Sequence, residues 1–213
     1  MTVSPVDLAG LLCSRLCHDL LSPVGALNNG LELLADETDP AMRDRCMELL
    51  ADSARVSANK LKFYRLAFGA GGGFGETIDA RDVEAAVRGL VADSKRVELG
   101  WYVDEPQLGK LASKVLLNLV LLGNDALVRG GALDVGAEQG DAGTEIVVKL
   151  EGQRIVLDPE LRRTLVEGEA ADGVTARSAP AFITHELVAA GGGAMQVSEP
   201  AEGVMILGAT LRG

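Results

Sequence analysis

Apolar residues in the first third of the chain fall at helical intervals. Leu8, Leu12, Leu16, Leu20, Val24, Leu27, Leu31 and Leu34 follow one another in steps of three and four, which predicts one helix from Pro5 to Ala35. D-E-T-D-P at 36–40 interrupts it, with Asp39 a candidate N-cap and Pro40 a first-turn residue. A second helix is expected from Pro40 to Phe68, with Met42, Cys46, Leu49, Leu50, Val56, Leu61, Tyr64 and Leu66 in its apolar set. Two long helices joined by a short turn make a helical hairpin, each arm on the order of 40 Å at about 1.5 Å per residue. A lone hairpin cannot bury that much apolar surface, whereas two can, as a four-helix bundle. A symmetric dimer is therefore expected; the alternative is a hairpin packed only on the second half of its own chain.

The pattern changes after G-A-G-G-G-F-G at 69–75, which reads as a linker. It is not a phosphate cradle, because no strand precedes it and no Lys-Ser/Thr follows. Beyond it, Arg81 to Ser94 is helix-like and Arg96 to Val103 alternates as a strand. Pro106 to Arg129 is expected as a long apolar helix. Ala132–Glu138 and Glu145–Glu151 form a hairpin across Q-G-D-A-G-T. Short helices follow at Asp158–Glu167 and Ser178–Ala190, then closing strands at Ala194–Ser198 and Val204–Leu211. The order gives one mixed sheet with helices on one side. The organisation expected is a hairpin over 1–69, a glycine-rich linker over 70–79 and a mixed domain over 80–213.

Composition narrows the function classes. Hydrophobic residues make up 47% of the 213, enough for a folded core, while aromatics are only 3% and offer no stacking platform for single-stranded nucleic acid. A net charge of −11 without a basic run argues against nucleic acid and anionic membrane surfaces as partners. No apolar stretch approaches the roughly 18 residues of a membrane span. The N-terminal M-T-V-S-P-V-D lacks the basic start of a signal peptide, and the three cysteines are an odd count, so reduced thiols in a cytoplasm are expected. Cys13 and Cys17 share a helix face from which His18 lies about 100° away. No fourth ligand is near, so small residues in helix packing are the better reading and no metal is expected.

Only two histidines exist, His18 and His185. His18 stands off the leucine seam, on a face shared with Ser14, Ser22, Gly25 and Asn29. Asp19 can accept a hydrogen bond from one ring nitrogen, which fixes the tautomer and leaves the other nitrogen the better nucleophile. Arg15, one turn earlier, can neutralise charge on a phosphoryl group. Ser22 and Gly25 leave room for a partner, and Pro23 removes one backbone bond and kinks the helix.

H-D-L-L-S-P at 18–23, on the first helix of such a hairpin, resembles the H-box of two-component histidine kinases. The mixed second half resembles their ATP-binding domain in order and size. Three departures separate the chain from an active kinase. In K-V-L-L-N-L-V-L-L-G-N-D-A-L, Asn118 and Asn124 are six apart, where the family spaces the magnesium-holding asparagines by about four. In V-K-L-E-G-Q-R-I, Leu150 stands at the Asp of the family's D-x-G-x-G and Arg154 at its second Gly, so a large side chain is expected to fill the adenine pocket. No glycine-rich second box or long lid follows. His185 lies where the family has its last helix and is expected to be structural.

This combination is similar to the alphaproteobacterial ChpT-type histidine phosphotransferases, and L-V-R-G-G-A-L-D-V at 127–135 is similar to their helix-to-strand junction. The resemblance implies an α+β chain: an N-terminal helical hairpin forming a dimeric four-helix bundle, and a C-terminal α/β sandwich resembling a histidine-kinase ATP-binding (Bergerat) domain that has lost its ATP site. It implies a phosphotransferase of a multistep phosphorelay in cell-cycle control. His18 would take phosphate from the receiver domain of a hybrid histidine kinase and pass it to receiver domains of response regulators. Asp19 would orient the ring and Arg15 would steady the phosphoryl group. No cofactor is implied for this chain, magnesium belonging to the partner receiver. Two rivals stay open: an active ATP-dependent sensor kinase, and a non-catalytic dimeric adaptor that binds receivers.

Overall fold

A computed structural model describes residues 3–69, 75–92, 96–171 and 173–212. The glycine cluster at 70–74 and the end of the third expected helix at 93–95 lie outside the described residues. The hairpin forms as its pattern requires, with α1 over Pro5–Asp36 and α2 over Pro40–Ala67. Ser4 caps α1, its Oγ accepting from the Asp7 amide at 3.1 Å, and Pro5 occupies the first turn. Asp39 holds the N-cap position of α2, but its side chain makes no cap bond. Glu37 closes the turn instead: its carboxylate accepts from the amides of Thr38 and Asp39, each at 2.8 Å, and its carbonyl accepts from Arg43 at 2.8 Å.

After the hairpin come β1 (Thr77–Asp79), α3 (Ala80–Ala92), β2 (Val97–Val103), β3 (Gln107–Gly109) and α4 (Lys110–Ala126). Then follow β4 (Gly131–Gly140), β5 (Gly143–Glu151), α5 (Pro159–Glu167), α6 (Ala179–Ala190), β6 (Ala194–Val197) and β7 (Val204–Arg212). The helix expected from Pro106 is shorter than its apolar run. Its first residues pair as β3 with β1, antiparallel, joining buried Ile78 to buried Leu108. β1 thus occupies the end of the segment expected as linker. The main sheet runs β2-β4-β5-β7-β6, parallel only between β2 and β4.

One face of this sheet carries Leu133, Val135, Ile146, Val148, Leu150, Met205 and Leu207, all buried, while Val147 and Ile206 stay exposed on the other. That is the alternation of a sheet covered on one side. α4 lies on the covered face with apolar residues all round, because α2, α3 and α6 wrap its far side. Phe63, Tyr64, Leu66 and Ala67 of α2 belong to the same contiguous core, so the open end of the hairpin is built into the second half. The loop end is not: Val24, Leu31, Met42 and Leu49 remain exposed there. Cys46 is buried, but Cys13 and Cys17 are exposed. Among the described residues no helix is long and apolar enough to cross a membrane.

Candidate functional site

The described part of α1 presents His18 outward, with 84% of its side chain exposed. Its Nδ1 lies 3.2 Å from Asp19 Oδ1. The carboxylate selects the tautomer with the proton on Nδ1 and leaves the Nε2 lone pair facing solvent. Ser14 and Ser22 are exposed beside the ring, as their helical spacing requires. Gly25 has open space where a side chain would stand.

Asp19 is the hub of the site. Its Oδ2 accepts from Arg15 Nε at 2.8 Å and from the hydroxyl of Tyr64 on α2. Arg15 reaches on to Asp125 at the end of α4, with Nη2 2.7 Å from Oδ2. Burial pushes the Asp19 carboxyl up, but the Tyr64 hydroxyl and the Arg15 guanidinium outweigh it and hold the group below its ordinary value. Burial, with Asp19 next in effect, raises Tyr64 above its usual range, so the hydroxyl stays protonated as a donor. Burial alone would lower the Arg15 guanidinium; the charges and hydrogen bonds of Asp125 and Asp19 reverse this and raise it.

Arg15, expected to steady a phosphoryl group, is therefore already occupied by two carboxylates and only 13% exposed. It works as a clamp that ties the histidine turn to the second half. Pro23 also has a definite consequence. It has no N–H to give the carbonyl of Asp19, one turn back, and that carbonyl accepts from Lys60 Nζ on α2 at 3.1 Å. α1 continues as helix through it. The proline opens a bond in one helix that the other helix closes.

The expected residues divide between two cavities. Ser14, Arg15, His18 and Asp19 line one of about 400 Å³ together with Ala176 and Arg177 from the loop before α6. Ser22 and Pro23 line another, about 320 Å³, bounded by Asp52, Arg55 and Lys60 of α2. Asp125, Tyr64, Lys60 and Arg177 carried no sequence signal of their own, since each comes from another element.

Two of the positions compared with the kinase nucleotide motifs, Leu150 and Asn118, make structural contacts. Leu150 is fully buried and packs against Gly123 of α4, where an added Cβ would meet its Cδ2 at 2.8 Å. Arg154 does not fill a pocket, as its size suggested; it is exposed. Buried Asn118 donates to Lys114 O at 2.8 Å and to Ala67 O at 3.4 Å, holding the end of α2 to α4. His185 sets its Nδ1 3.2 Å from Leu165 O and packs over Gly168, the left-handed cap of α5 at φ 70°. No group of three or more His, Cys, Asp or Glu suited to a metal occurs among the described residues.

The family model described as histidine phosphotransferase C-terminal domain matches residues 80–203. The chain is 36% identical over 205 residues to the protein phosphotransferase ChpT of Brucella abortus (strain 2308), covering 96% of each. Its fold matches a solved bacterial phosphotransferase with a TM-score of 0.86 at 33% identity, covering 98% of both chains. The chain belongs to the histidine phosphotransferase family. Within that family it is of the ChpT type and acts as a phosphotransferase in a phosphorelay.

Proposed function

We propose that His18 is the phosphoryl carrier, accepting from the receiver domain of a hybrid histidine kinase and delivering to receiver domains of response regulators. The observation that carries this reading is the exposed imidazole whose Nδ1 is held by Asp19, itself anchored by Arg15 and Tyr64. In the forward step Nε2 attacks the phosphorus of the donor's aspartyl phosphate. The N–P bond forms as the P–O bond to the aspartate breaks, and the donor leaves as a carboxylate. The ring becomes cationic, and Asp19, ionised, stabilises the proton on Nδ1. An acceptor aspartate then attacks the same phosphorus, the N–P bond breaks and neutral imidazole returns. No proton is gained or lost over the cycle. Magnesium sits in the receiver's own acidic cluster, and this chain supplies position and charge.

The working form is a homodimer through the hairpin. Leu31 and Leu49, 56% and 63% exposed at the loop end of the hairpin, are apolar surface that a second copy would cover. Labelled phosphoryl receiver, mixed with wild type and with His18→Ala, tests the carrier. Wild type acquires the label and passes it on, and His18→Ala does neither. An alanine protein that still relays overturns the reading, and a wild type that binds receivers without taking label makes the chain an adaptor.

A further inference from the structure

The two cations bonded at Asp19 are both engaged. Arg15 is spent on Asp19 and Asp125, and Lys60 is spent on the Asp19 carbonyl. A phosphoryl group on His18 brings negative oxygens that neither Arg15 nor Lys60 is free to meet. The second half supplies the missing charge. Arg177, from the loop before α6, lines the His18 cavity, is exposed, and makes no ion pair or hydrogen bond among the described residues.

Its backbone is held in place. The Thr175 amide donates to Ser178 Oγ at 2.9 Å, the Ser178 amide to Thr175 Oγ1 at 3.3 Å, and the Ala179 amide to Thr175 O at 2.8 Å. Buried Ser178 roots this turn at the start of α6, which packs on α1. The guanidinium is thus carried by a fixed turn while its side chain stays free. Arg177 also borders a smaller cavity with Asp158 and Glu160, but Asp158 caps α5 through the Glu160 amide at 2.9 Å and no ion pair draws the guanidinium there.

We propose that Arg177 is a catalytic residue of the relay: it binds the non-bridging oxygens of the phosphoryl group on Nε2 of His18, so that the phosphoryl pocket is closed by the second half of the chain. The planar fork of an arginine suits two such oxygens. The bonds made and broken remain those at Nε2. Arg177 keeps its protons throughout and contributes charge only. The Arg15–Asp125 ion pair ties the histidine turn to the second half, which also carries Arg177. The inference rests on His18 as carrier.

Phosphoramidate transfers a phosphoryl group to imidazole with release of ammonia, and it needs no receiver. With the full chain, 31P NMR follows the rate at which His18 is labelled. Arg177→Gln is expected to label about ten- to a hundredfold more slowly at saturating phosphoramidate, with thermal unfolding unchanged because the side chain is exposed and makes no ion pair or hydrogen bond among the described residues. Arg177→Lys, retaining a point charge without the fork, is expected to recover part of the rate. Equal rates for wild type and Arg177→Gln overturn the proposal and leave the carrier assignment standing. A slow glutamine variant whose unfolding midpoint also falls overturns it, by pointing to a structural role for the side chain. If wild type is labelled elsewhere than His18, or not at all, the carrier assignment falls first and the proposal with it.

Discussion

Replacing Tyr64 with phenylalanine isolates the bond that sets the state of Asp19. The ring keeps its place, edge-on to Phe63 at 5.7 Å and stacked on Phe68 at 5.2 Å, so little packing is lost. What goes is a hydroxyl donating to a carboxylate that also holds Arg15 and His18. A hydrogen bond to an ionised group contributes about 1.5–3 kcal/mol. At roughly 2–4 °C per kcal/mol for a chain of this size, the unfolding midpoint at pH 7 should fall by about 3–12 °C. The loss should depend on pH in a definite direction. The folded Asp19 carboxyl is depressed, so its contribution is complete above the unfolded value of about 3.9 and disappears as pH drops through the lower folded value. Tyr64 is raised, so its contribution is complete below about 10 and disappears as pH climbs through the folded value. Scanning calorimetry of both proteins across pH 3–11 should show a gap that is widest near neutrality and narrows at both ends. Equal midpoints at pH 7, or a gap as wide at pH 3 as at pH 7, would refute the role given to this bond.

Three other changes test separate parts of the structure. Lys60→Met leaves the Asp19 carbonyl without its donor and should cost about 1–3 kcal/mol in urea denaturation; in a Pro23→Ala background, where an amide again faces that carbonyl, the same change should cost close to nothing. Leu150→Asp restores the acid of the nucleotide motif in a fully buried site, and should lower stability by at least about 4 kcal/mol from lost apolar burial and a desolvated carboxyl; nucleotide titration should find no binding gained. Leu31→Glu with Leu49→Glu should shift the mass in dilute solution from two copies to the 22.2 kDa of one, while an unchanged mass would place the dimer contact elsewhere.

The hairpin was legible almost to the residue, because hydrophobic periodicity runs from Pro5 through the first helix and Asp39-Pro40 marks the start of the second. The sheet strands from β4 onward were legible for the same reason, alternation with glycine turns. β1 and β3 were not: three residues each, they carry no period and exist because Ile78 and Leu108 meet under α4. In the site, adjacency in sequence gave His18 and Asp19, and helical spacing gave their exposed face. The partners of Asp19 needed the register of two helices and a contact spanning 110 positions, from Arg15 to Asp125. Arg15 shows the limit of local reading. Its chemistry suits a phosphoryl group, but its surroundings had already committed it. Pro23 shows the reverse, since the bond it deletes is visible in sequence and the lysine that replaces it is not.

The central claim is that phosphate enters this chain from another protein and rests on His18. Wild-type protein is incubated with labelled ATP alone, then separately with a phosphorylated receiver, and the label is mapped by peptide. The account predicts no label from ATP, and label from the receiver on Nε2 of His18 alone. Label taken directly from ATP would make the chain a kinase, and label from the receiver on any residue other than His18 would contradict the account.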